Sequence, residues 1–129
     1  MAGSGARRRR QRLTRSGDFD RVFREGSSRG NRFLVLHAFA RPDGAESGIR
    51  LGVSVGRKVG RAVERNAVKR ALREAFWASA DELAGASDFV LVARPDVAGL
   101  VEREGTRGVR AALEELLADG GPVAGERST

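Results

Sequence analysis

Hydrophobic and polar positions recur along the chain with periods that name its elements. In SGDFDRVFREG, Phe19, Val22 and Phe23 stand at i, i+3 and i+4, which puts them on one face of a helix. Ser16 is the expected N-cap, Asp18 and Asp20 suit the positive end of the helix dipole, and Gly26 supplies a stop. NRFLVLHAFA alternates as a strand does: Phe33, Val35, His37 and Phe39 point one way, Leu34, Leu36 and Ala38 the other. Beyond the turn-rich RPDGAESG, IRLGVSVG predicts a second strand, antiparallel to the first. Leu51, Val53 and Val55 share one of its faces; Arg50, Gly52 and Ser54 share the opposite one. The small Gly52 and Ser54 leave room there for something other than a packed core.

A second helix is predicted from about Arg61 to Ser79, its buried stripe formed by Val68, Ala71, Leu72, Ala75 and Phe76. DFVLVARP reads as an apolar strand buried on both sides. Thr106 is placed to cap a last helix with Val109, Leu113, Leu116 and Leu117 facing inward, ending at Gly120 and Gly121. No internal repeat is evident. The order helix, strands, helix, strand, helix predicts an α+β sandwich, one helical layer on a mostly antiparallel sheet. Residues 1–12 read as a disordered basic arm, 13–119 as a single domain and 120–129 as a flexible tail.

Charge changes the picture more than composition does. The net +7 is placed rather than spread. Residues 1–15 hold six Arg and no acid, and residues 57–73 hold seven bases against the single Glu64; residues 74–129 hold eleven acids and five bases. A solvated helix ordinarily mixes its signs so that acids and bases four apart support each other. Here Arg65, Lys69 and Arg73 recur every four residues beside the apolar stripe, with Asn66 and Arg70 further round. Two cationic zones on a chain with an acidic last third point to a polyanion held at one face.

Candidate chemistry narrows the choice. The absence of cysteine removes disulfides, thiolate zinc sites and thiol nucleophiles. No run of about 18 apolar residues occurs and no apolar stretch follows the basic N-terminus, so an intracellular protein without a membrane span is expected. His37 has no second imidazole to share a metal, and Asp18 and Asp20 are explained by the helix dipole. No set of nucleophile, base and oxyanion donor can be assembled. Gly56-Arg57-Lys58-Val59-Gly60 follows a strand and opens a helix but lacks the ending of a phosphate-binding loop. A helix reading a DNA major groove finds no helix-turn-helix signal. Single-stranded RNA fits better, because Phe19, Phe23, Phe33 and His37 offer flat faces for unstacked bases beside cations that neutralise phosphates. Core packing accounts for Phe19 and Phe23 equally well from spacing alone.

The run KVGRAVERNAVKRALREAF resembles the Arg-Asn-Arg signature segment of the protein subunit of bacterial ribonuclease P. DFDRVFREG, the NR before the first long strand, RLGVSVGRKVG and DFVLVARP follow in that family's order, so the resemblance spans roughly Arg12 to Leu117. It implies an αβββαβα two-layer sandwich with a central sheet of about four strands and a left-handed βαβ crossover. It also implies a cytoplasmic ribonucleoprotein that removes the 5′ leader of precursor tRNA, with the RNA subunit and its Mg2+ performing the hydrolysis and no small-molecule cofactor or membrane involved. By position, Arg57, Lys58, Arg61, Arg65, Asn66, Lys69, Arg70 and Arg73 then belong to the segment that meets the ribonuclease P RNA. Phe19, Phe23, His37 and Ser54 match positions lining the leader cleft, and Phe33 and Val35 share a strand face with His37. Two departures stand out: the third signature position is Ala67, and His37 occupies a place where an aromatic such as Tyr is often found. A structural RNA-binding protein of ribosomal type and a free-standing nuclease remain the rival classes.

Overall fold

The computed structural model describes residues 10–42, 48–80 and 86–118. Five strands and three helices follow in the order β1 (Arg10–Arg12), α1 (Ser16–Glu25), β2 (Ser27–Gly30), β3 (Leu34–Ala40), β4 (Gly48–Ser54), α2 (Ala62–Ser79), β5 (Ala86–Ala93) and α3 (Val97–Leu117), with a 3-10 turn at Arg57–Val59 before α2. They build one mixed sheet in the order β1-β4-β5-β3-β2.

The expected pairing of β3 with β4 is corrected by β5, which lies between them, antiparallel to β3 and parallel to β4. Sequence neighbours yield here to burial: β5 is the most continuously buried strand, as expected at the centre of a sheet covered on both faces. With β1 parallel to β4 and β2 antiparallel to β3, half of the pairings are parallel, so the sheet is mixed rather than mostly antiparallel. The parallel β4–α2–β5 connection stands where the resemblance implies a crossover. Two strands go beyond the three that the apolar pattern predicts: β1 and β2 are short polar segments that carry no alternating signal and sit at the two edges, and β1 is the one that adds to the αβββαβα order. Arg10–Arg12, the last three residues of the expected arm, form β1 at the edge of the sheet. Residues 1–9, the tail at 120–129 and most of RPDGAESG lie outside the described residues.

The main core lies between one sheet face and the α2–α3 pair. Leu34, Leu36, Ile49, Leu51, Phe89 and Leu91 meet Val68, Leu72, Phe76, Val109 and Leu113 there. The five residues expected to form the α2 stripe are its buried residues. A second, smaller cluster of Leu13, Val22 and Val90, flanked by Phe19, Phe39 and Val92, fills the opposite face under α1. The helices are therefore divided between the faces rather than gathered in one layer. Arg15, not Ser16, is the N-cap of α1. The last helix begins earlier than expected, at Val97, and breaks at Gly105, whose φ of 63° and ψ of −152° are closed to other residues. Thr106 opens the second segment and spends its hydroxyl on Glu74 Oε1 at 2.8 Å instead of on the helix end. Among the described residues, no helix is long and apolar enough to cross a membrane.

Candidate nucleic-acid interface

The open part of the α1 face is built from strand register. Val35, Val92 and Ser54 stand in line across β3, β5 and β4; His37, Val90 and Gly52 form the next line. α1 roofs the second line. Val22 packs on Val90, and the Phe19 ring lies over Gly52, where a Cβ would come within 2.7 Å of Phe19 Cε1. The room left by Gly52 is thus taken by an aromatic ring of the protein itself. Phe23 remains 43% exposed and meets the His37 imidazole edge-on at 4.8 Å, with the Phe19 ring 6.4 Å from that of Phe23. Burial lowers the pKa of His37 from 6.5, so it presents a neutral ring at neutral pH. The line Val35–Val92–Ser54 is half-buried and lies beside the roof, forming an apolar floor with an aromatic wall.

Phe19, Phe23, Val35, His37 and Ser54 therefore come together, whereas Phe33 does not join them. It precedes β3 in a turn made by Asn31, whose Oδ1 accepts the Phe33 and Leu34 N–H groups at 3.0 Å each. Strand alternation does not reach back through that turn. Phe33 packs against the margin of the main core with the Arg32 guanidinium 5.4 Å over its ring. Asn31 also donates to the Ala112 carbonyl at 2.9 Å and to Glu115 Oε1 at 3.0 Å, binding the start of β3 to α3.

The cations occupy a second surface. Arg57 and Lys58 are exposed on the 3-10 turn that leaves the end of β4, three residues beyond Ser54. Glu64, the segment's lone acid, accepts the Arg61 N–H at 2.6 Å and so serves the N-terminus of α2 rather than a neighbouring cation. Among the described residues, none of Arg57, Lys58, Arg61, Arg65, Lys69, Arg70 and Arg73 has an ion-pair partner. Arg65, Lys69 and Arg73 are half-buried on the flank of α2, and Asn66 and Arg70 are exposed. The Arg65 Nε is buried with no acceptor. Burial, and then the like charge of Arg12 on β1, lower the pKa of Arg73, so the Arg73 end of the row lies near the β1 edge of the sheet. Ala67 faces the other way. With Val63 it lines a groove of about 290 Å³ against Ala98 and Val101 of α3, so the missing signature cation leaves the Arg65–Lys69–Arg73 row intact.

The two surfaces do not form one groove on one face, because α2 and α1 lie on opposite sides of the sheet. They meet around β4, whose residues 52 and 54 floor the aromatic wall and whose end leads into Arg57 and Lys58. Sequence reading missed one feature, the carboxylate of Asp88, wholly buried on the α1 face between Arg41 and Arg50. Its signal was an acid inside an apolar strand, which in a core requires cationic partners.

Known proteins agree with this architecture. The family model described as Ribonuclease P matches residues 8–117. The chain is similar to the RNase P protein of Staphylococcus aureus, with a TM-score of 0.71 and 32% identity, over 82% of this chain and 91% of that one. It is also similar to the RNase P protein of Thermotoga maritima, with a TM-score of 0.69 and 34% identity, over 83% of this chain and 94% of that one. No curated protein sequence matches. Because the family match spans nearly all the described residues and the solved structures share both fold and a third of their sequence with it, the chain belongs to the ribonuclease P protein family.

Proposed function

We propose that the protein works as an RNA-binding subunit of ribonuclease P in the cytoplasm, where it grips the RNA subunit through the α2 flank and the leader of precursor tRNA through the aromatic wall of α1. The observation that carries this reading is the segment of seven cations whose single acid is consumed by the helix end. Such a surface repels itself until phosphates arrive. Arg65, with a buried Nε lacking an acceptor, and Arg73, beside Arg12, gain most from an external anion. On the other face, Phe19, Phe23 and the neutral His37 give an unstacked base a flat neighbour, and the apolar line Val35–Val92 gives it a floor.

In this reading the protein contributes position and charge. Among the described residues, no three His, Asp or Glu side chains gather where a metal ion could sit. The Mg2+ of the reaction is assigned to the RNA subunit, and no step is assigned to a metal on the protein. The protein's cations let crowded RNA strands approach, and the α1 wall retains the leader while its junction with the tRNA is presented to the RNA.

Reconstitution tests the reading. Added to its cognate ribonuclease P RNA at low Mg2+, the protein is expected to restore release of the 5′ leader. Tight RNA binding without any gain in cleavage would leave a structural RNA-binding role instead. Cleavage by the protein without RNA would place the chemistry on the chain.

A further inference from the structure

A line of ion pairs runs from inside the sheet out to α1. A buried carboxylate is stable only when donors surround it. Asp88 receives Arg50 twice, Nε to Oδ1 at 2.7 Å and Nη2 to Oδ2 at 2.7 Å. Arg41 donates to the same Oδ1 and, through Nη2, to the Gly48 carbonyl at 2.9 Å. The two-point contact fixes the plane of the Arg50 guanidinium. Its third nitrogen, Nη1, is thereby held 3.6 Å from Oδ2 of Asp18 in the first turn of α1, while Oδ1 of Asp18 takes Arg21 at 3.2 Å.

Phe19 follows Asp18 and rests on Gly52, two residues along β4 from Arg50. The start of α1 is therefore docked on successive same-face positions of one strand, once by charge and once by an aromatic ring. Its far end is docked differently. At Gly26 the backbone approaches β3 so closely that a Cβ would overlap the Ala38 carbonyl oxygen. With that end held backbone to backbone, the ionic contact at the near end sets the angle at which α1 crosses the sheet.

We infer that Asp18 and Arg50, backed by Asp88, are positioning residues for the leader, fixing α1 at the height above β4 at which Phe19, Phe23 and His37 accept a nucleotide. They touch no RNA themselves. The inference deepens the leader-binding reading above and rests on it.

The test compares the full chain with Asp18→Asn, Arg50→Lys and Phe23→Ala, each assembled with the cognate RNA subunit. Asp18→Asn keeps shape and removes charge; Arg50→Lys keeps charge and removes the two-point contact. Three affinities are measured: for precursor tRNA with a leader, for mature tRNA without one, and for the RNA subunit. The expected result is that Asp18→Asn and Arg50→Lys reduce the preference for leader-bearing substrate by about threefold or more, as for coupled contacting residues. Affinities for mature tRNA and for the RNA subunit stay unchanged. Combined with Phe23→Ala, Asp18→Asn adds no further loss, because both act through one wall. If Phe23→Ala abolishes the preference while Asp18→Asn and Arg50→Lys leave it intact, the inference falls and the leader reading stands. If none of the three changes it, both fall. A parallel loss in all three affinities would assign these residues to general stability and overturn the inference.

Discussion

Replacing Arg73 by Gln separates the stability of the free protein from its affinity for RNA, because the two are expected to respond in opposite directions. Arg73 lies on the half-buried flank of α2, and both burial and the neighbouring Arg12 disfavour its charge. No acid among the described residues compensates it. Gln keeps most of the stem that covers the helix flank and removes the charge. Unfolding in urea should then show a free protein as stable as the parent or more stable by a few tenths of a kcal/mol, since solvent still screens a charge that is only partly buried. Binding to the RNA subunit should weaken. One lost phosphate contact reduces the slope of log K against log salt by about 0.7–0.9, so the parent's extra affinity shrinks by about threefold between about 50 and 200 mM salt. The two binding curves are expected to converge at high salt. Curves that remain parallel, or a variant destabilised by more than about 1 kcal/mol, would refute the placement of Arg73 at a phosphate-facing edge.

Gly52→Ala drives a methyl into the Phe19 ring and should cost about 1–3 kcal/mol in chemical denaturation; a neutral result would mean that α1 rides free of β4. Asp88→Asn removes the charge between Arg41 and Arg50 in a wholly buried site and should cost about 3–5 kcal/mol, read from the urea midpoint. His37 contributes a pH dependence of known sign: its folded pKa lies below 6.5, so the unfolded chain binds the proton first. The stability associated with neutral His37 is present above pH 6.5 and is lost as pH falls from there toward the lowered folded pKa. The melting temperature of the parent relative to His37→Gln should therefore decline across that window, and a rise would contradict the burial of the ring.

Much of this molecule could be read from one sequence because its helices and long strands are strongly periodic. The α2 stripe was legible because an 18-residue helix repeats its buried face several times over. The alternation of β3 separated Leu34, Leu36 and Ala38 from Val35 and His37 correctly. What escaped were features set by distant partners. β1 and β2 are too short and polar to announce themselves; they exist because β4 and β3 offer unpaired edges. The β3–β5–β4 order depends on which strand is buried on both faces, a comparison among strands and not a property of any one. Phe33 has the residue type and parity of its neighbours, yet the two hydrogen bonds to Asn31 end the strand before reaching it. Asp88 was written plainly in DFVLVARP, but the two arginines that make it tolerable lie 47 and 38 residues away.

The division of the helices between two faces gives β4 a role that no single motif carries. A sheet is one strand thick, so contacts made on its opposite faces stay separate except at an edge or at the end of a strand. β4 supplies both. One face holds Phe19 over Gly52, and its parallel neighbour β1 brings Arg12 to the Arg73 end of the cationic row. Its C-terminal end passes from Ser54 into Arg57 and Lys58 within three residues. Under the proposed function, an RNA strand leaving the aromatic wall at Ser54 would therefore meet positive charge at once. If the two surfaces act as proposed, the spacing between Ser54 and Arg57 sets how far a bound leader and the RNA subunit would lie apart. Two glycines inserted between Val55 and Gly56 should uncouple them, leaving RNA-subunit affinity and α1 packing intact while leader preference declines. A leader preference unaffected by that insertion would mean that the two surfaces act independently.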